Sequence, residues 1–357
     1  MSDLFSDAVA QLLADQCTPA VVRQIEAAAD ARGAASTLWQ HLEDAGFADA
    51  LVPEAQGGAG LSLTDVFPVL ELCGAHALPV PLAQTLLARA VLASSGVPIP
   101  KGNITLALAN AGDDAIKCEA VAFGRVADWV LVVPGEAPAP HAALPTGSQV
   151  GTQACLLPVG DAISTPGSFV LDAGLAWSAE QVAAAPRLAK APSASELRLL
   201  LACINAAQLA GALMTVFNRT LQYANDRVQF GRPIGKFQAI QHQLSVMAEH
   251  AFAARMAAQM GCRSDTAWPD RLRVAVAKAR TSEAALEVAG LAHSIHGAIG
   301  FTQAFDLQLF TRRLHAWRQA GGSESYWHTV VGEALVDGGA SLALDLIRTV
   351  TDLAPVH

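Results

Sequence analysis

The chain has 357 residues, of which 52% are hydrophobic and 15% charged, and a formal net charge of −9. Its length allows two or three domains around a sizeable core, and its apolar share excludes extended disorder. The negative balance excludes a nucleic-acid binder, which needs a basic face against phosphate. The first residues carry Asp3 and Asp7 in place of a basic segment, so no secretory leader is expected. No run reaches about 18 uninterrupted apolar residues, so no membrane span is expected. Cysteines at 17, 73, 118, 155, 203 and 262 form no C-x-x-C pair. That scatter predicts reduced, mostly buried thiols in a cytoplasmic protein, with neither a disulfide framework nor a zinc site.

In chain order, residues 1–102 read as an N-terminal helical domain. In "LWQHLEDAGFADALVPEAQGGAGLSLTDVF" a helix ends near Gly46, Gly57, Gly58 and Gly60 make a loop, and a new helix starts around Thr64 and Asp65. Residues 103–186 change texture. "NITLALA", "CEAVAFGRVADWVLVVPG" and "TQACLLPVG" are short aliphatic runs between turn residues, predicting a reduced middle β domain the size of a small barrel. The low-complexity stretch "AEQVAAAPRLAKAPSASE" leads out of it. Residues 187–357 return to a helical period. Phe237, Ile240, Leu244, Met247 and Ala251 recur at steps of three and four, and similar runs follow at roughly 270–296, 302–319 and 324–350. Long helices joined by short turns predict a C-terminal four-helix bundle. The fold class expected is therefore mainly α, with a small β domain between two helical ones.

The stretch "DRVQFGRPIGKFQAIQH", residues 226–242, sits between two of those helices. A plain joint needs only its Gly and Pro. A helix start behind a Gly/Pro turn offers unpaired N–H groups and partial positive charge to a phosphate. Arg227 adds a planar cation able to pair two oxygens, and Phe230 adds a face for a purine. Together they would suit the adenosine-diphosphate end of a dinucleotide. The bland alternative is a surface arginine and a core phenylalanine.

The pattern R-x-x-F-G-x-x-(I/L)-x-x-x-Q, here Arg227, Phe230, Gly231, Ile234 and Gln238, resembles the flavin-binding segment of acyl-CoA dehydrogenases. "LVPEAQGGAGLSLTDV" (51–66) resembles the loop of that family's N-terminal domain. "SIHGAIGFTQAFDLQLFTRR" (294–313) resembles its Q-x-x-G-G-x-G-F turn and the following helix. The resemblance implies an all-α/β/all-α flavoprotein acting on acyl-CoA thioesters of fatty acid or steroid catabolism. It implies that Arg227, Gln229 and Phe230, with Ile234, Phe237 and Gly297, hold an FAD seated largely in a neighbouring chain.

The same resemblance exposes gaps. Family chemistry needs a carboxylate to take the α-proton, a flavin to take hydride from the β-carbon, and hydrogen bonds that polarise the thioester carbonyl. Counting from Arg313 puts Gly322 at the usual base position, and counting back from Arg227 puts Leu201 at the alternative one. Neither can take a proton. Glu324 is a nearby substitute, at a helix start where a negative charge is favourable anyway. Glu196 reads as the closing residue of a capping box with Ser193. The T-E-P-x-A-G-S-D-like flavin cradle is missing, and Ser294 and Ala298 replace the glutamine and one glycine of the turn. His293 and His296 lack neighbouring carboxylates or thiols, so they read as a helix end near Gly297 and no metal is expected.

This combination resembles the degenerate β subunit of heteromeric α2β2 acyl-CoA dehydrogenases. It implies a paralogous acyl-CoA dehydrogenase subunit as partner, the base coming from that partner. Two alternatives stay open: a self-sufficient homo-oligomeric dehydrogenase using Glu324, and a structural protein that has lost flavin.

Overall fold

The structure is a computed structural model that describes residues 2–110, 115–135, 153–337 and 343–351. Parts of the expected β region and of the last helical run lie outside the described residues. The chain divides into two compact units, Met1–Ser62 with Leu78–Arg198, and Leu63–Ala77 with Leu199–His357.

The first unit opens with α1 (Ser2–Gln16), α2 (Pro19–Ala27) and α3 (Ala31–Asp44). Their boundaries follow ordinary capping chemistry. The Thr18 side chain accepts from the Val21 N–H with Pro19 in the first turn, and Asp30 accepts from Gly33. Gly46 ends this stretch in a left-handed conformation, as its position after α3 predicts. Further along, α5 (Leu82–Ser94) packs on strand β1 (Ile104–Ala109) and is tied to it by the Thr85 hydroxyl, which bonds both the N–H and the carbonyl of Ile104. Buried Arg89 on α5 is neutralised by Glu43 and by Asp49, 2.9 Å away.

The β region continues with β2 (Ile116–Val121), β3 (Trp129–Pro134), β4 (Cys155–Pro158), β5 (Ile163–Pro166) and β6 (Ala173–Trp177). It forms two three-stranded sheets, β1-β3-β4 and β2-β6-β5. β1 and β3 are parallel, and the other pairs are antiparallel. Both sheets face one core that includes Cys118, Val130, Val132, Leu157, Leu175 and Trp177. The low-complexity stretch after β6 is more than a tether. It forms α6 (Ala179–Ala184) behind a Ser178–Gln181 capping box, and then pairs with β4: the Leu156 and Leu188 N–H groups donate to the Pro186 and Ala154 carbonyls.

The second unit is helical. It comprises α4 (Leu63–Ala75), most of α7 (Ala194–Asp226), a hairpin of β7 (Val228–Gln229) and β8 (Arg232–Pro233), then α8 (Gln238–Gly261), α9 (Arg271–His296), α10 (Leu307–Gln319), α11 (Glu324–Asp337) and α12 (Ala343–Thr351). The sequence boundary at 102 places α4 in the N-terminal segment, whereas compactness places it here. Two glycines explain the difference. A Cβ on Gly74 would lie 1.8 Å from the Gln208 carbonyl oxygen, and one on Gly211 would lie 1.9 Å from that of Glu71. The two helices touch backbone to backbone only because neither position carries a side chain. Small residues serve the same purpose between α8 and α9, where Ala251, Ala254 and Ala258 are buried alongside Ala275 and Ala277.

One helix among the described residues, α7, is long and apolar enough to cross a membrane, but 78% of its most apolar window is buried inside the protein. It is a core helix. All six cysteines are buried and none forms a disulfide, and the Sγ atoms of Cys203 and Cys262 lie 3.5 Å apart.

Candidate functional site

Helix α7 ends at Asp226, and the chain then turns outward as an arm. The Arg227 N–H still donates to the Tyr223 carbonyl, and the Ile234 N–H returns to the Arg227 carbonyl, so the two arms of the hairpin close on each other. Between them, Gln229 pairs with Arg232 across a two-residue turn. That turn needs left-handed backbone at both centres, and Phe230 (φ 51°) and Gly231 (φ 79°) supply it. The glycine adopts this conformation freely. For a phenylalanine it costs on the order of 1 kcal/mol, and the ring gains no burial in return, being 91% exposed. Phe230 meets the Phe237 ring edge-on at 6.1 Å, and the Arg232 guanidinium lies over Phe237 at 4.3 Å. Arg227 and Gln229 are exposed, while Ile234 and Phe237 are half-buried beneath the arm. Helix α8 starts right after Phe237 with no side-chain cap. Phe230 is therefore no core phenylalanine, and backbone strain at an exposed ring points to a role outside the chain's own packing.

The glycine-rich stretch lies beside this arm. Helix α9 stops at His296, where Gly297 (φ 65°) turns the chain into a 3-10 turn, Gly297–Phe301. Tyr223, one helical turn before Arg227, stacks on His296 at 4.3 Å and donates its hydroxyl to the His296 carbonyl at 3.4 Å. Arg227 and Gly297 thus belong to one local surface, joined by a tyrosine whose role no spacing rule signalled. The Nδ1 of His296 lies 2.8 Å from the Ala292 carbonyl, which can only accept, so that nitrogen carries the proton. His293 meets the Thr311 hydroxyl at 3.1 Å and stacks on Phe301. Burial lowers both imidazole pKa values, so they are neutral packing groups. No group of three His, Cys, Asp or Glu suited to a metal occurs among the described residues. Ser294 is exposed, and the Gln243 amide from α8 donates to its hydroxyl at 3.3 Å.

Gly322, which counting reaches as the expected base position, lies in the turn between α10 and α11. Gly321 (φ 70°) and Gly322 (φ 102°) are both left-handed. It is Gly321, the neighbour of the residue reached by counting, that meets the alternative base position. A Cβ there would lie 2.7 Å from the Ala202 nitrogen and 3.0 Å from the Leu201 carbonyl carbon. A Cβ on Gly322 would instead strike the Trp327 indole at 2.8 Å. The two positions reached by counting converge and neither carries a carboxylate, and a Cβ at either glycine of the turn would meet a neighbour closer than 3.0 Å.

Around this turn the bonding is dense. The Trp327 indole N–H donates to the Gly321 carbonyl at 3.0 Å. Fully buried Lys278 donates to the carbonyls of Arg318 (2.7 Å) and Gly322 (3.0 Å) and to the Ser282 hydroxyl (3.0 Å). Burial pushes its pKa down to about 7 despite the nearby Glu324 charge, with Arg318 adding to the fall. Glu324 begins α11 and is ion-paired with Arg318. Partial burial pushes its carboxyl pKa up, but a backbone hydrogen bond and the Arg318 and Lys278 charges outweigh this and hold it below the usual value. That is the electrostatics of an anchored anion, not of a base raised toward neutrality. Glu196 completes the expected box, accepting from the Ser193 N–H at 2.7 Å while its own N–H donates to the Ser193 hydroxyl at 3.2 Å.

Comparison with known proteins matches residues 2–102 to the acyl-CoA dehydrogenase N-terminal domain and residues 200–336 to the acyl-CoA dehydrogenase C-terminal domain. The chain belongs to the acyl-CoA dehydrogenase family. Among curated relatives, acyl-CoA dehydrogenase IpdE2 of Mycolicibacterium smegmatis is 31% identical, over 90% of this chain and 94% of that protein. IpdE2 of Mycobacterium tuberculosis is 30% identical, over 88% and 91%. Among solved structures, a variant of the Tcur3481-Tcur3483 steroid ACAD superposes with TM-score 0.77 at 25% identity, covering 95% of this chain and 99% of that one. The ChsE4-ChsE5 complex from Mycobacterium tuberculosis gives TM-score 0.76 at 21% identity, covering 94% and 97%. The acyl-CoA dehydrogenase fold, helical at both ends with a small β region between, is the fold of this chain.

Proposed function

We propose that this chain is the non-catalytic, half-site subunit of an FAD-dependent acyl-CoA dehydrogenase, clasping the adenosine end of a flavin seated in a paralogous partner that supplies the base. The carrying observation is the pairing of an exposed, strained Phe230 with Gly322 and Leu201, which bear no carboxylate, at the two positions that counting reaches. When bound, FAD supplies the hydride acceptor for α,β-dehydrogenation of the thioester. Arg227 would pair with the diphosphate oxygens, Phe230 would offer its face to the adenine, and the uncapped start of α8 would favour negative charge. Gln229 would steady the arm, Ile234 and Phe237 would form its floor, and the Gly297 turn would let the backbone approach the nucleotide. Proton removal belongs to the partner, because Leu201, Gly321 and Gly322 have no group to perform it and Glu324 is spent on Arg318.

That the similar structures are named for two chains supports a hetero-oligomer, and the word steroid in one name supports a steroid-derived acyl-CoA as substrate. The test is expression of this chain alone and together with a base-bearing paralogous subunit. Alone it should purify with little flavin absorbance near 450 nm, a band characteristic of oxidised flavins and roughly proportional to bound cofactor. Together the two should yield yellow, active enzyme. Full flavin occupancy and turnover by this chain alone would overturn the proposal in favour of a homo-oligomer. A colourless but stable complex would overturn it in favour of a structural protein.

A further inference from the structure

The clasp as described grips phosphate and stacks a ring, but neither contact reads the edge of the nucleotide. A side-chain amide on α8, bonded to the α9 turn that leads to Gly297, can do so. Gln243, two residues beyond the Gln241 that ties α8 to the arm through the Gly235 carbonyl at 3.0 Å, reaches across to α9. There its Nε2 donates to the Ser294 hydroxyl at 3.3 Å, one helical turn before Gly297. The residue is half-buried, and Ser294 beside it is exposed. Among the described residues this is the amide's one hydrogen bond, leaving a second N–H and the carbonyl oxygen Oε1 available. A donor beside an acceptor on one rigid plane matches the edge of adenine, which presents the same pair in reverse. It also matches a ribose hydroxyl. It does not match a diphosphate, which only accepts.

We propose that Gln243 is the adenosine-reading group of the clasp, held in place by Ser294. The amide has changed helices: α9 carries the short hydroxyl that orients it, and α8 carries the amide itself. This inference rests on the flavin-clasp reading, and its test is built to fail separately.

FAD affinity is measured by equilibrium dialysis on the co-expressed, flavin-depleted complex, alongside its melting temperature. Gln243→Ala should weaken FAD binding about tenfold, the size of one well-made hydrogen bond. Gln243→Ala combined with Ser294→Gln returns the amide to α9, and affinity should recover to within about threefold of the wild type, a coupling expected only of groups sharing one site. Unchanged FAD affinity in Gln243→Ala, with or without a lower melting temperature, makes the residue a helix-seam contact and overturns the inference. Failure of the double variant to recover overturns it as well. Arg227→Ala separates the two levels. If it releases FAD while Gln243→Ala does not, only the inference falls. If neither releases FAD, the clasp itself is wrong.

Discussion

The arm after α7 and the turn before α11 use the same backbone device to opposite ends. Each places two successive left-handed residues in a connection between helices: Phe230 and Gly231 in the arm, Gly321 and Gly322 in the turn. In the arm a large ring is held out in solvent at a conformational cost that the chain's own packing does not offset. In the turn nothing projects. The backbone sits directly on α7 at Leu201 and Ala202, and Lys278, Trp327, Arg318 and Glu324 bind what surrounds it. One region is strained and open, the other satisfied and shut. On the proposed reading, the difference teaches that the absent base is more than one missing carboxylate, because a Cβ at either glycine would meet an occupied neighbour.

The comparison breaks most sharply if the shut turn can be reopened by restoring a base. Gly321→Glu puts a side chain at φ 70° and against the Ala202 backbone, so a loss of about 3 kcal/mol is expected. No exchange of the acyl-CoA α-proton should appear. Isotope exchange catalysed by a stably folded Gly321→Glu chain would show a mere vacancy instead.

A smaller effect sharpens the electrostatic half of the contrast. The Lys278 pKa is about 7 in the folded chain, against about 10.4 for an unfolded lysine. Between these values the unfolded chain holds a proton that the folded chain has released, so stability rises with pH across that window. Below about pH 7 both states are protonated and the burial penalty is complete. Thermal melts at several pH values should therefore show the wild type gaining on Lys278→Met from pH 7 toward pH 10, by about 3 kcal/mol. Parallel curves would mean that Lys278 is buried without cost.

The smallest change concerns the arm. Phe230→Gly removes the left-handed penalty and adds the entropy of glycine, so chemical denaturation should move by less than about 1 kcal/mol in either direction. Flavin retention in the co-expressed complex should fall all the same. A large stability loss would show that Phe230 is part of the core after all.

Much of this was legible in the sequence, and the limits have physical causes. Local signals carried the helical period from Phe237 to Ala251, the Ser193–Glu196 capping box, the strand-and-turn texture of the β region and the R-x-x-F-G pattern of the arm. What escaped depends on approach between distant segments. Lys278 sits in "VAVAKARTSE" like any surface lysine, and its burial arises only when α9 meets the end of α10. Tyr223 gains meaning only when His296 stacks on it. Counting from Arg313 reaches Gly322, but which of two adjacent glycines meets Leu201 is decided by dihedral angles that composition does not record. The stretch after β6 shows only low complexity, and an alanine- and proline-rich run gives no sign that it will pair with β4.

The reciprocal glycines Gly74 and Gly211 also bear on how the protein is made. Helix α4 leaves the ribosome early, yet the surface it fits, on α7, is synthesised only after the whole β region. Until then the Glu71 and Gly74 backbone of α4 lacks the α7 surface it packs against, and the apolar residues of α4 wait for the rest of their unit. A nascent chain stalled in the β region would display them to chaperones and proteases. Separate expression of the two family-matched segments would strand the helix from its seat, so the shortest piece able to close this bundle runs from α4 onward without interruption.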